Sequence, residues 1–227
     1  MKKSIFNYLF TMAIVSIALV SCKKEGCTNP TATNYDSSAE KDDGSCVLPI
    51  TNSTSTNNNA INGPLKYSFV MDGTTTSGES TIDIFAGTSS DKEIGQSQTT
   101  AIWSSFFFND PQNYTVIDVL KGIQTYSGSL SDDDFADYFA PGNYTYADLS
   151  EEGVAIAIGL PNGTYYDSKY GPQSGSSFEI VSIKKEYSGF DLYVKVHVEF
   201  NCKVYNTNDP SDVKTITNGV YVNHFTQ

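Results

Sequence analysis

The stretch FDLYVKVHVEF, residues 190–200, constrains the fold of this chain more than any other. From Leu192 onward, Leu192, Val194, Val196, Val198 and Phe200 alternate strictly with Tyr193, Lys195, His197 and Glu199. Successive side chains of an extended strand point to opposite faces, so this pattern specifies a strand with one face buried and one wet. Shorter runs of the same character occupy Leu65–Met71, Thr81–Phe85, Thr100–Phe108, Tyr114–Leu120, Val154–Leu160, Phe178–Ile183 and Gly219–Phe225. In Val154–Leu160 the alternating partners are Ala155, Ala157 and Gly159, which predicts a strand covered on both faces. The aromatic run around Trp103 and Phe106 to Phe108 reads as a buried strand. Turn residues punctuate the runs, as in Asp72-Gly73, Pro141-Gly142-Asn143 and Asn218-Gly219. Many short strands at this spacing predict an all-β fold, an antiparallel β-sandwich or a barrel.

One short helix interrupts the pattern, in SDDDFADYFAPG. Ser131 is placed to cap it, and Asp132, Asp133 and Asp134 favour its positive N-terminal end. Phe135, Tyr138 and Phe139 then share one face, and Pro141 ends the helix. Three consecutive carboxylates point in different directions on a helix, so capping explains them better than a cation site.

The amino-terminal region has another character. Lys2 and Lys3 precede an apolar run from Tyr8 to Val20. Crossing a bilayer as a helix takes about 20 apolar residues, so this run is short for a span and fits an export signal. It ends Leu19-Val20-Ser21-Cys22, which resembles the lipobox of bacterial lipoproteins. The resemblance implies a signal peptide over 1–21, cleavage before Cys22, and acylation of the Cys22 sulfur and amine. Several acyl chains hold a protein durably at a membrane, where one holds it only marginally.

Cys27 and Cys46 enclose 18 residues rich in Asn, Thr, Ser, Asp and Gly. In an exported chain such a pair is expected to form a disulfide, worth about 3 kcal/mol on the chain-entropy model. Zinc is disfavoured, because no Cys-x-x-Cys or nearby histidine supplies four soft ligands. The segment from Gly26-Cys27-Thr28 to Asp42-Asp43-Gly44-Ser45-Cys46 resembles a small cysteine module of surface and secreted proteins in Bacteroidota-type bacteria. That likeness implies location, with the outer membrane as the expected address, and no ligand. Asp36, Asp42 and Asp43 could offer oxygens to Ca²⁺, but their spacing departs from the loop in which alternate side chains converge on one ion, and solvated turn residues are the favoured reading. No other cofactor is implied.

Residues 22–47 are thus read as a lipid-anchored cysteine module, 48–63 as a flexible Asn/Thr/Ser linker spanning about 20 Å root-mean-square, and 64–227 as the β-domain. YFAPGNYTY, NGTYYDSKYGPQSGSSFEIVSI and VEFNCKVYN resemble uncharacterised β-rich lipoprotein domains of the same bacterial group. The resemblance implies fold and location and transfers no catalytic residue.

For function, charge is the first filter. The formal net charge of −12 becomes −14 once Lys2 and Lys3 leave with the signal, and such a chain repels nucleic acid. The chain carries two histidines, His197 and His224, and no G-x-S-x-G elbow, so a catalytic triad is not indicated. Cys202 is expected to be a buried structural thiol. Carboxylates are plentiful, which leaves a glycan hydrolase as a disfavoured alternative, since the separation of the two acids defines that chemistry. Tyr and Phe number 15 and 13, more than the core of such a domain requires. Tyr165, Tyr166 and Tyr170, with Asp167, stand in a segment that could stack on sugar rings, although adjacent tyrosines also pack across strands. The expected role is therefore non-catalytic, in binding or envelope structure, with glycans or other surface proteins as partners beside the membrane itself. Mass spectrometry of the native protein should find a mature chain that begins at an acylated Cys22.

Overall fold

The computed structural model describes residues 23–28, 30, 35–42, 60–80, 84–95, 97–109 and 115–227. Cys22, Asp43, Cys46 and the whole signal segment lie outside the described residues. The chain divides into two compact units, residues 1–49 and 50–227.

In the first unit, strands β1 (Glu25–Gly26) and β2 (Lys41–Asp42) pair in parallel. Lys24 Nζ lies 2.7 Å from Asp36 Oδ2, and the Ser38 amide and hydroxyl donate to Asp36 Oδ1 at 2.9 and 2.5 Å. These bonds, that of Lys24 foremost, hold the Asp36 carboxyl well below the usual carboxylate range. Asp36 is thus tied to Lys24 and Ser38 within its own unit. Cys27 is buried.

The second unit is an antiparallel β-sandwich, not closed into a barrel. Its strands are β3 (Lys66–Met71), β4 (Thr74–Glu79), β5 (Ile84–Ile94), β6 (Thr99–Asn109), β7 (Thr115–Tyr126), β8 (Gly142–Asn143), β9 (Val154–Gly159), β10 (Tyr165–Asp167), β11 (Ser177–Ser188), β12 (Asp191–Asn206) and β13 (Asp209–Thr226). One layer runs β4-β3-β13-β12-β11-β8 and the other β10-β9-β7-β6-β5. They join where β10 pairs with the far end of β12, Tyr166 opposite Asn206 and Asp167 opposite Tyr205. At the opposite side β5 meets the end of β13, with Thr88 Oγ1 and Thr226 Oγ1 2.6 Å apart.

The alternation seen in the sequence sorts the faces. Val194, Val196, Val198 and Phe200 on β12 face the core with Ile117 and Val119 on β7, and Ile156 and Ile158 on β9. Trp103, Ser105 and Phe107 of β6 are fully buried, while the intervening Phe106 lies outward over Gly87. Ring contacts tie the layers, with Phe107 5.4 Å from Tyr221 and 5.5 Å from Tyr67. The Tyr221 hydroxyl donates to Ser105 Oγ at 2.9 Å, and Asn223 donates to that hydroxyl and to the Phe106 carbonyl. A buried polar set that satisfies itself in this way fixes one register of β13 against β6. Cys202 is buried on β12 with its thiol pushed up to about 12 by burial, so it is an inert core residue.

Helix α1 (Asp132–Asp137) fills the space between the layers at one end. The Asp134 amide donates to Ser131 Oγ at 3.1 Å, and the Ser131 hydroxyl donates back to the Asp134 carboxylate at 2.6 Å. Phe135 packs 4.8 Å from Trp103, Phe139 follows at 5.2 Å, and Phe139 reaches Phe225 at 4.5 Å. Trp103 Nε1 donates to Gln124 Oε1 at 2.9 Å, which anchors the indole of this stack. Lys121, buried on β7, lies between the rings of Tyr138 and Tyr144 at 4.1 and 4.0 Å. Burial pulls its ammonium down to about 8, and the two ring faces offset part of that cost, as desolvated cation–π contacts do.

Two sequence expectations change. The outward face of β12 is not wet at its centre: Lys195 and His197 are buried, and Lys195 Nζ donates to the Gly63 carbonyl at 2.6 Å. Ile61, assigned by composition to the linker, is likewise buried. Phe190, just ahead of the strict alternation, sits fully exposed beside Gly189 (φ +65°) at the tip of the β11–β12 hairpin. Phe139→Ala should lower unfolding stability by about 3–5 kcal/mol, and Ser131→Ala by about 1 kcal/mol, measured by urea titration.

Candidate functional site

An open groove of about 630 Å³ lies on the second unit, lined by Asp148, Leu149, Ser150, Lys169, Tyr170, Gly171, Pro172 and Pro210. Three separate segments meet there. A 3-10 turn, Ser168–Tyr170, follows β10 and is capped by Asp167, whose Oδ1 accepts from the Lys169 amide at 2.8 Å. The chain then passes Gly171, where an added Cβ would stand 2.4 Å from the Tyr205 ring, so only glycine admits that ring. The Tyr205 hydroxyl donates to the Pro172 carbonyl at 2.6 Å. Gln173 locks the turn from behind, donating to the carbonyls of Ser168 and Lys203 at 2.7 Å each.

The second segment, Asp148 to Gly153, is held against β7 at Gly122. The Gly122 amide donates to the Gly153 carbonyl at 2.6 Å, and a Cβ at Gly122 would overlap the Glu151 carbonyl oxygen at 2.0 Å. Within this loop Ser150 N donates to Asp148 Oδ1 at 2.8 Å, and Glu151 adopts a left-handed φ of +64°. A non-glycine residue there is strained, and such strain tends to be kept where geometry matters. The third segment contributes Pro210, near the start of β13.

Behind the groove runs a line of charge. Lys169 Nζ lies 2.7 Å from Glu151 Oε1 and 3.9 Å from Asp167 Oδ2, and only 15% of its side chain is exposed. Burial pulls the Lys169 ammonium down, but its carboxylate neighbours outweigh that and raise it. Asp167 is raised by burial, against the opposing pull of Lys169. Asp118 on β7 and Asp167 on β10 both stand opposite Ala157 of β9, on the outer face of their layer. Two strand spacings separate their Cα atoms by about 9.5 Å. Burial first, then the Asp167 charge, raises Asp118 to about 6, and no described residue donates a hydrogen bond to its Oδ1. The Tyr165 ring covers Gly159 next to it. Neither Asp118 nor Asp167 lines the groove.

The tyrosine segment is therefore a strand and a turn. Along β10 alternation splits it: Tyr165 and Asp167 face outward, while Tyr166 turns to the core, 4% exposed, its hydroxyl donating to Asp212 at 2.6 Å. Tyr166 is a structural residue, which corrects its assignment as a ligand contact. Tyr170 lines the groove, Asp167 supports Lys169, and Tyr165 stands apart from the lining. Asp118 was not singled out in the sequence, although a carboxylate inside the apolar run TVIDVL was its signal. Leu149, Ser150 and Pro210 carried no sequence signal. Among the described residues no group of three or more His, Cys, Asp or Glu side chains is arranged to hold a metal ion.

No family model matches the chain, and comparison with curated proteins and with solved structures likewise finds no match.

Two buried groups should give stability opposite pH slopes. His197, 2% exposed, is lowered to about 4 by burial and by the Lys66 charge, so the unfolded chain takes up its proton first, and stability falls as pH drops from about 6.5 toward 4. Asp118 is raised, so its contribution is present at low pH and lost as pH rises through about 6. Urea midpoints between pH 4 and 7 should show His197→Gln losing the acid-side decline, and Asp118→Asn deepening it.

Proposed function

We propose that this protein is a lipid-anchored envelope lipoprotein whose β-sandwich binds a glycan, without catalysis, in the groove beside Tyr170. The observation that carries the reading is the composition of that groove. Tyr170 and Leu149 are 38% and 67% exposed, and with Pro172 and Pro210 they offer an apolar surface. Asp148 and Ser150, both exposed, supply hydrogen-bonding groups in the lining. Saccharides present apolar C–H faces ringed by hydroxyls, and an open site of mixed apolar and polar groups suits them. A segment pinned by Tyr205, Gln173 and Gly122 is preorganised, so little ordering opposes binding.

The chemistry of the acids also favours recognition. Glycoside hydrolysis needs two carboxyl groups on either side of the scissile bond. Asp118 and Asp167 have raised pKa values, but they lie outside the groove lining. Lys169 separates Asp167 from the groove and holds it in an ion-paired role.

The anchor at Cys22, the Cys27–Cys46 disulfide and the outer-membrane address belong to the same proposal. They rest on the resemblance of residues 19–22 to a lipobox and of residues 26–46 to the cysteine module. The buried position of Cys27 is compatible with the disulfide.

Affinity electrophoresis of the full chain through gels cast with a panel of polysaccharides tests the reading. At least one polysaccharide should retard the protein, and Tyr170→Ala should abolish that retardation while Tyr187→Ala, an exposed tyrosine on β11, should not. Unretarded migration through every polysaccharide would remove glycan binding.

A further inference from the structure

We propose that the groove selects saccharides bearing free amino groups over their N-acetylated and acidic counterparts. The inference rests on the glycan reading above and names the substrate class of that site.

The argument is charge complementarity. Three carboxylates, Asp148, Glu151 and Asp167, stand at or directly behind the groove wall against a single ammonium, Lys169. That ammonium is turned inward. It is held at 2.7 Å by Glu151, with 85% of its side chain covered, so it presents little positive charge to a ligand. Asp148 is the opposite case: an exposed residue in the lining, its carboxyl held below the ordinary range by the hydroxyl and amide of Ser150. It is ionised at neutral pH. The loop that carries it is fixed by the Glu151 turn and by Gly122, so the negative charge is presented in a set position.

A ligand lying on Tyr170, Leu149 and Pro172 thus meets a rim with surplus negative charge. An unsubstituted hexosamine is an ammonium near neutral pH, and it pairs with that rim while its ring lies on the apolar surface. Acetylation removes the charge and the attraction. A uronate or sulfate ester brings a like charge within the screening length of about 8 Å and is disfavoured. The chain's net charge of −12 acts in the same direction at longer range.

The test uses the full chain and three soluble oligosaccharides of equal length: a glucosamine oligomer, its N-acetylated form and an oligogalacturonate. Binding is measured by titration calorimetry at 50 mM and 500 mM salt. The glucosamine oligomer should bind about threefold to tenfold tighter than the N-acetylated form at low salt, as one partly exposed ion pair allows, and the advantage should shrink at high salt. Asp148→Asn should reduce that ratio toward one, whereas Asp191→Asn, the same charge change at the distant β11–β12 hairpin, should leave it intact. If the N-acetylated or uronate oligomer binds as well as the amine, the selectivity is wrong and glycan binding stands. If none of the three binds while a polysaccharide gel still retards the protein, the amine preference also fails. Loss of every glycan interaction removes both.

Discussion

Four aromatic side chains in contact, Trp103, Phe135, Phe139 and Phe225, link the two layers of the sandwich through a helix of six residues. A sandwich that stays open has a gap where its sheets diverge, and apolar surface there must be covered. Here α1 covers it. So short a helix has little stability of its own, and its place depends on Phe135 and Phe139 finding Trp103 and Phe225. The Ser131 cap and the acids of the first turn add local support, and Gln124 ties the indole. The dependence runs both ways, because β6 and β13 belong to different layers and meet around these rings.

The groove is built on a different device, close backbone approach. Gly122 admits the loop that carries Asp148 and Glu151, and Gly171 admits the Tyr205 ring beneath the turn that carries Tyr170. Each absence of a side chain brings a groove-lining residue to its place. The same loop then holds Glu151 in a backbone conformation that few residues adopt, stabilised by the ion pair with Lys169. Its geometry is set by the scaffold.

Strand alternation made much of the fold legible. The run on β12 pointed Val194, Val196 and Val198 inward, and Ala155 and Ala157 marked β9 as covered on both faces. Local chemistry also exposed the helix, through Ser131, the three acids and Pro141. What failed were judgements needing a partner distant in the chain. Lys195 and His197 look solvated in their own strand, yet both are buried, and the partner of the Lys195 ammonium, the Gly63 carbonyl, lies more than a hundred residues away. Tyr165, Tyr166 and Tyr170 look like one cluster, yet the pleat of β10 sends Tyr166 inward and the following turn separates Tyr165 from Tyr170. The groove combines residues 148–150, 169–172 and 210, and no local pattern announces such a meeting.

The setting of Lys121 carries a consequence for tolerance of salt. Ion pairs between surface side chains weaken as electrolyte accumulates. At the joint between β7 and the segment following α1, the cation is gripped by two phenol faces and shut away from solvent. Dissolved ions have little access to that grip, so brine and fresh water should find this contact equally firm.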